Sequence, residues 1–209
     1  MEAVGILEVY GLTCAFLAAD AGCKAGNVWL ENFDRNKPAN AESLPVPLII
    51  AVKFRGRIAD VEAAMQAAGE KAASTTGIIQ KHIIPSPVNE LMLKINSLES
   101  LSTEPVIAEN VITENFVCDK TESFGFVELS GVVASTIALD TMCKLADVQL
   151  IGRQKRLGGR LVTIIIEGSV SAVNEAVYSV DNPAAAGVIA NPHFEIINMV
   201  RNFGYAKYE

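Results

Sequence analysis

The sequence predicts an α+β protein made of two tandem copies of one unit. Three observations carry this. DAGCKAGNVWL at 20–30 returns as DTMCKLADVQL at 140–150, so that Asp20, Cys23, Lys24 and Val28 fall on Asp140, Cys143, Lys144 and Val148. The same spacing of 120 aligns VGILEV at 4–9 with FGFVEL at 124–129 and places Gly5 on Gly125 and Glu8 on Glu128. At a spacing of 112, LIIAVKFRG at 48–56 realigns with RLVTIIIEG at 160–168, Gly56 on Gly168. Landmarks held at a fixed offset mark internal duplication.

Each element follows from its residues. Alternating β-formers over 3–9 predict a strand. After Gly11, Leu12, Ala15, Phe16, Ala19 and Cys23 recur at helical spacing, matched by Val132, Ser135, Thr136, Leu139 and Cys143. One apolar or small face of each helix is expected to pack on a sheet. Gly26 is expected to end the first helix, with Asp147 taking the corresponding turn. Strands are expected at 28–33 and 148–153. The copies then diverge into a polar, Pro-bearing loop at 34–47 and a shorter basic, glycine-bearing loop, QKRLGGR, at 154–160.

Buried strands follow at 48–56 and 160–168, with helices at 58–74 and 170–180. Short strands at 77–83 and 187–190 lead to Pro-marked turns, IPSP at 84–87 and ANPH at 190–193. Short helices near 88–95 and 195–202 end the copies. Strand–helix–strand repeated twice predicts an antiparallel or mixed sheet with helices on one side, a ferredoxin-like plan. The expected domains are 1–97 and 123–209, joined by a partly packed extended connector at 98–122.

Composition excludes several function classes. Half of the 209 residues are hydrophobic, enough for a substantial core, and a net charge of −7 argues against nucleic-acid binding. No apolar run approaches the roughly 18 residues that span a membrane. Met-Glu-Ala offers no basic leader, so no signal peptide is expected, and LTCA at 12–15 lacks the charged segment of a lipoprotein signal. Cys14, Cys23, Cys118 and Cys143 show no CxxC spacing, and His82 and His193 are the only histidines. A zinc site or disulfide framework is disfavoured, and a reduced, cytosolic protein is expected. Cys14, Cys23 and Cys143 are expected as small buried hydrophobes, leaving Cys118 in the connector unexplained. Glu8 and Glu128 are expected on solvent or interface faces, not as an acid–base pair. No nucleophile–histidine arrangement can be built, so no enzyme activity is expected.

VGILEV, the D-A-x-x-K element, the glycine loop, LVTIIIEGSVSAV and the Pro-marked tail, in order and twice, resemble the bacterial microcompartment shell domain. The double set resembles the tandem-domain shell proteins. The resemblance covers nearly the whole chain apart from the connector. It implies a homotrimer of double domains that imitates a hexamer and tiles a cytoplasmic shell with other shell proteins. Loops from all six domains would form a central pore.

It further implies that Lys24 and Lys144 lie at the tile edge; otherwise they are helix-end lysines favoured by the dipole. The family's tail-turn arginine is absent, with Ser86 and Asn191 in its place. Leu157, Gly158, Gly159 and Arg160 match the pore loop. With Lys155 and Arg156, that loop brings three positive charges per chain to the three-fold axis, attractive to anionic metabolites; the plainer reading is a solvated basic turn. In the first copy Asn40, Glu42 and Ser43 are candidate pore-lining groups, or else part of an ordinary surface loop. Neither pore loop contains cysteine, so no iron–sulfur cluster, metal or other cofactor is expected. The rival function is a ferredoxin-like trimeric small-molecule-binding regulator in which 34–47 closes over ligand.

Overall fold

The computed structural model describes residues 2–36, 38–89, 91, 122–154 and 161–204. In the first unit β1 (Ala3–Tyr10) leads into α1 (Leu12–Ala25), then β2 (Val28–Leu30), β3 (Asp34–Asn36) and a 3-10 turn (Ala41–Ser43). β4 (Ile49–Gly56), α2 (Ile58–Ala73) and β5 (Ile78–Ile84) complete it. The second unit runs β6 (Ser123–Ser130), α3 (Val132–Leu145), β7 (Val148–Gln154), β8 (Leu161–Gly168), α4 (Val170–Tyr178), β9 (Ala185–Ala190) and α5 (Phe194–Gly204).

Both units carry the same four-strand order, to which the first adds β3. The strand orders are β2-β4-β1-β5 and β7-β8-β6-β9, and every pairing is antiparallel. Registers repeat as well: Val28 pairs Gly56 as Val148 pairs Gly168, and Glu8 pairs Gln80 as Glu128 pairs Ala185. The duplication read from spacing is thus a duplication of hydrogen-bonded register.

Three expectations change. The loop at 34–47 is not plain loop. Its first residues form β3, which adds to β4 with Asp34 opposite Ala51, and Lys53, buried in β4, bonds Asp34 at 3.0 Å. A buried ammonium needs such a partner, and the strand supplies it. Second, Gly26 caps α1 in an extended conformation, φ −140°, not a left-handed one, and the second-unit cap is Ala146 rather than Asp147. Gly26 is required by proximity instead, since a Cβ there would lie 2.2 Å from the Asp60 carbonyl oxygen. Gly26→Ala is therefore expected to cost about 2 kcal/mol by overpacking, seen as a lower urea midpoint at unchanged m. An unaltered midpoint would show that the backbone at 60 yields freely.

Third, α1 and α3 are not equally buried. Eleven of the fourteen α1 residues are buried, against only Ser135, Ala138 and Met142 on α3. Cys14 and Cys23 are buried as expected, whereas Cys143 is exposed. The tail helix expected near 88–95 and the connector with Cys118 lie largely outside the described residues.

Candidate functional site

The extra burial of α1 comes from the second unit. Phe16 lies between the units, stacked on Phe126 with centroids 4.9 Å apart and edge-on to Phe33 at 5.2 Å. Residues of both units, including Leu17, Phe54, Phe124, Phe126 and Ile189, form one continuous apolar core. Leu17 packs on bare backbone at Gly187, where a Cβ would come within 2.5 Å of its Cδ1.

α1 begins at Gly11, which has no side chain to cap it. Glu128 of β6 supplies the cap from the other unit. Its Oε1 accepts from the Leu12 amide at 2.8 Å and its Oε2 from the Thr13 amide at 3.3 Å, and the Thr163 hydroxyl donates to it at 3.1 Å. A carboxylate here satisfies orphan helix amides and meets the positive end of the dipole. Glu128 is wholly buried, and burial pushes its pKa above the usual carboxylate range despite these three donors. Glu128 is therefore an interface group, one of the two placements expected; Glu8 is half-buried.

The far end of α1 is held in the same way. Asp20 accepts from the His193 amide at 2.9 Å and pairs with Lys24, whose Nζ donates to the Ala190 carbonyl at 2.9 Å. Lys24 thus touches the Pro-marked turn of the second unit. Burial pushes the nearby Cys23 thiol up to about 12, helped by Glu195 and Asp20, so it is inert as a nucleophile. Lys144 pairs with Asp140 at 2.7 Å, and its side chain is 75% exposed.

Asn40, Glu42 and Ser43 form an exposed turn in which the Ser43 hydroxyl donates to the Asn40 carbonyl at 2.8 Å. Ala41 and Val46 anchor this turn in the core. Lys155, Arg156, Leu157, Gly158, Gly159 and Arg160 lie outside the described residues.

A cavity of about 270 Å³ lies where the end of α2 meets β9, lined by Leu17, Lys71, Thr76, Tyr178 and Gly187 among others. Three of its lining hydroxyls are already committed: Ser74 and Thr75 donate to the Lys71 carbonyl and Thr76 to the Tyr10 carbonyl. Among the described residues, no group of three or more His, Cys, Asp or Glu could hold a metal ion, and no helix is long and apolar enough to cross a membrane. What this surface can do is join units.

The seam was absent from the expectations, although signals for it exist. Both α1 and α3 start at a glycine with no capping side chain, so their caps must come from elsewhere. Phe124 and Phe126 stand where the first copy has Val4 and Ile6, an aromatic excess that fits an additional packed layer.

Comparison with known proteins matches this doubled architecture. A family model, the BMC domain, matches residues 3–87 and again 123–198. The carboxysome shell protein CsoS1 of a Prochlorococcus marinus strain is 39% identical over 82 residues, 35% of this chain and 79% of its own length. The major carboxysome shell protein CsoS1A of Halothiobacillus neapolitanus is 37% identical over 86 residues, 37% of this chain and 87% of its own length. Among solved structures, a microcompartment protein from Desulfitobacterium hafniense DCB aligns over 95% of this chain and 99% of its own, at 22% identity and a TM-score of 0.38.

Proposed function

This chain belongs to the BMC domain family, matched once by each of its two units, and from that premise we propose that it is a structural tile of a bacterial microcompartment shell in the cytoplasm. Three chains close into a ring of six domains, and rings meet other shell proteins edge to edge. Its role is structural rather than catalytic. Relatives named as carboxysome shell proteins support the shell assignment.

One observation supports the ring above all. The seam within the chain is head-to-tail: α1 of the first unit meets β6 and β9 of the second. On the matching face of α3, Val133 and Ile137 are exposed. A head-to-tail contact that repeats between chains makes a closed ring or a filament. Native mass measurement combined with electron microscopy tests this. Trimers that assemble into sheets are expected; a persistent single chain overturns the ring, and a discrete trimer that never forms sheets fits a small-molecule regulator instead.

The centre of such a ring is a pore. We assign its lining to Arg156, Leu157, Gly158, Gly159 and Arg160 from the second unit and to Asn40, Glu42 and Ser43 from the first. Lys144 and Lys24 are assigned to the tile edge. The basic second-unit loop would favour small anionic metabolites. Arg156→Ala combined with Arg160→Ala is expected to reduce anion over cation flux through planar bilayers or liposomes carrying the assembled protein. Unchanged selectivity removes the anion preference and leaves the tile intact.

A further inference from the structure

The cavity between the end of α2 and β9 lies inside one chain, with walls from both units. We propose that it binds a small hydroxylated carboxylate. Lys71 takes the carboxylate, and the hydroxyl oxygens of Ser74 and Thr75 take the ligand's own hydroxyl. The site is separate from the pore loops and does not depend on ring closure.

One wall comes from a stretch that only the first unit has. α2 has 16 residues and α4 has 9. The spacing between the copies is 112 at Gly56 and Gly168. It falls to 105 at Gln80 and Ala185, which stand opposite Glu8 and Glu128. The first unit is therefore longer at the end of α2, and Lys71, Ser74 and Thr75 lie in that longer stretch. The facing wall is β9 of the second unit, with Tyr178 at the end of α4 and Leu17 of α1 completing the lining.

Size bounds the occupant. A volume of about 270 Å³ equals roughly nine waters at ~30 Å³ each, so a molecule of fewer than about ten heavy atoms fits.

The lining is polarised. Lys71 is the one charged residue among the described residues that line the cavity. Its ammonium has no ion-pair or hydrogen-bond partner among the described residues, and an ammonium offers donors only. Ser74 and Thr75 each spend their single hydroxyl proton on the Lys71 carbonyl, both at 2.8 Å. What these two hydroxyls keep for a ligand is lone pairs. A plain carboxylate would meet the ammonium but set its own lone pairs against theirs. A plain alcohol would leave the ammonium without a counter-charge. A molecule carrying both groups satisfies both, while Leu17 and Val188 offer apolar contact to the carbon chain between them. Because the walls belong to different units, an occupant also ties α2 to β9 and stabilises the folded chain by linkage.

Calorimetric titration and thermal unfolding of the full chain test this. The probes are 2-, 3- and 4-hydroxybutyrate, butyrate and butane-1,3-diol, with sodium chloride holding the ionic strength constant. At least one hydroxybutyrate isomer is expected to bind saturably with a Kd of about 1 mM, in line with so few heavy atoms in an open-mouthed site. At a hundredfold excess over Kd it should raise Tm by about 5 °C. Butyrate and butane-1,3-diol should each bind at least about tenfold more weakly. Lys71→Met, a change at an exposed position, should weaken the preferred isomer by more than about tenfold. Ser74→Ala combined with Thr75→Val should abolish the preference for that isomer over butyrate, a ratio that a general loss of stability does not imitate. If no isomer binds better than butyrate, or if Lys71→Met binds as the wild type does, the assignment is overturned and the tile reading is untouched.

Discussion

Phe16→Ala is expected to destabilise the chain by about 4 kcal/mol, a fall of roughly 12 °C in Tm for a chain of this size. Phe16 is fully buried and contacts aromatic rings from both units, so its removal leaves a cavity at their junction. One core cluster spans both units beside a second cluster within the second unit, and the wild-type chain should unfold in a single transition. The variant should broaden or split that transition because the coupling runs through this ring. Thr136 holds the equivalent place on α3 and is exposed, so Thr136→Ala should stay within about 0.5 kcal/mol for the dissociated chain. Calorimetry of both variants checks the contrast. A loss below about 1 kcal/mol for Phe16→Ala would mean that the units fold without each other.

Glu128→Ala is expected to cost about 3 kcal/mol, because two helix amides and a buried hydroxyl lose their acceptor. Glu128→Gln keeps the shape and one acceptor oxygen and should cost less. The pH dependence separates charge from shape. Burial raises the folded-state pKa of Glu128 above its unfolded value of 4.5, so the folded chain binds the proton more tightly. The stability contributed by that proton is complete below pH 4.5 and is lost as pH rises through the folded pKa. The wild-type advantage over Glu128→Gln should therefore be larger at pH 5 than at pH 8 in urea unfolding. An advantage that grows with pH would show that the three donors outweigh burial and that the carboxylate is the favoured form.

Much of this protein is legible in one dimension because its information is periodic. The 120-residue spacing, the β-branched runs and the Gly56–Gly168 match depend on local chain geometry, and each reappears as paired register. β3 was hidden because Asp34, Arg35 and Asn36 have poor strand propensity. Pairing with β4 and the buried Lys53 overrides that preference. Lys24 and Lys144 look identical in sequence, yet one reaches a carbonyl of the other unit and the other stands in solvent.

By itself the sequence determined that the chain is double, which strands and helices the two halves have in common, and that they share one topology. Only the tertiary structure decided that the halves are inequivalent in their surroundings. It buried α1 and left α3 open, and it turned Glu128 into a helix cap while Glu8 remained half-buried at the surface. The physical reason is that propensity and periodicity act over a few residues, whereas a head-to-tail contact covers one copy of each repeated face and uncovers the other. Two near-identical sequences then acquire different burial, different charge energetics and different partners.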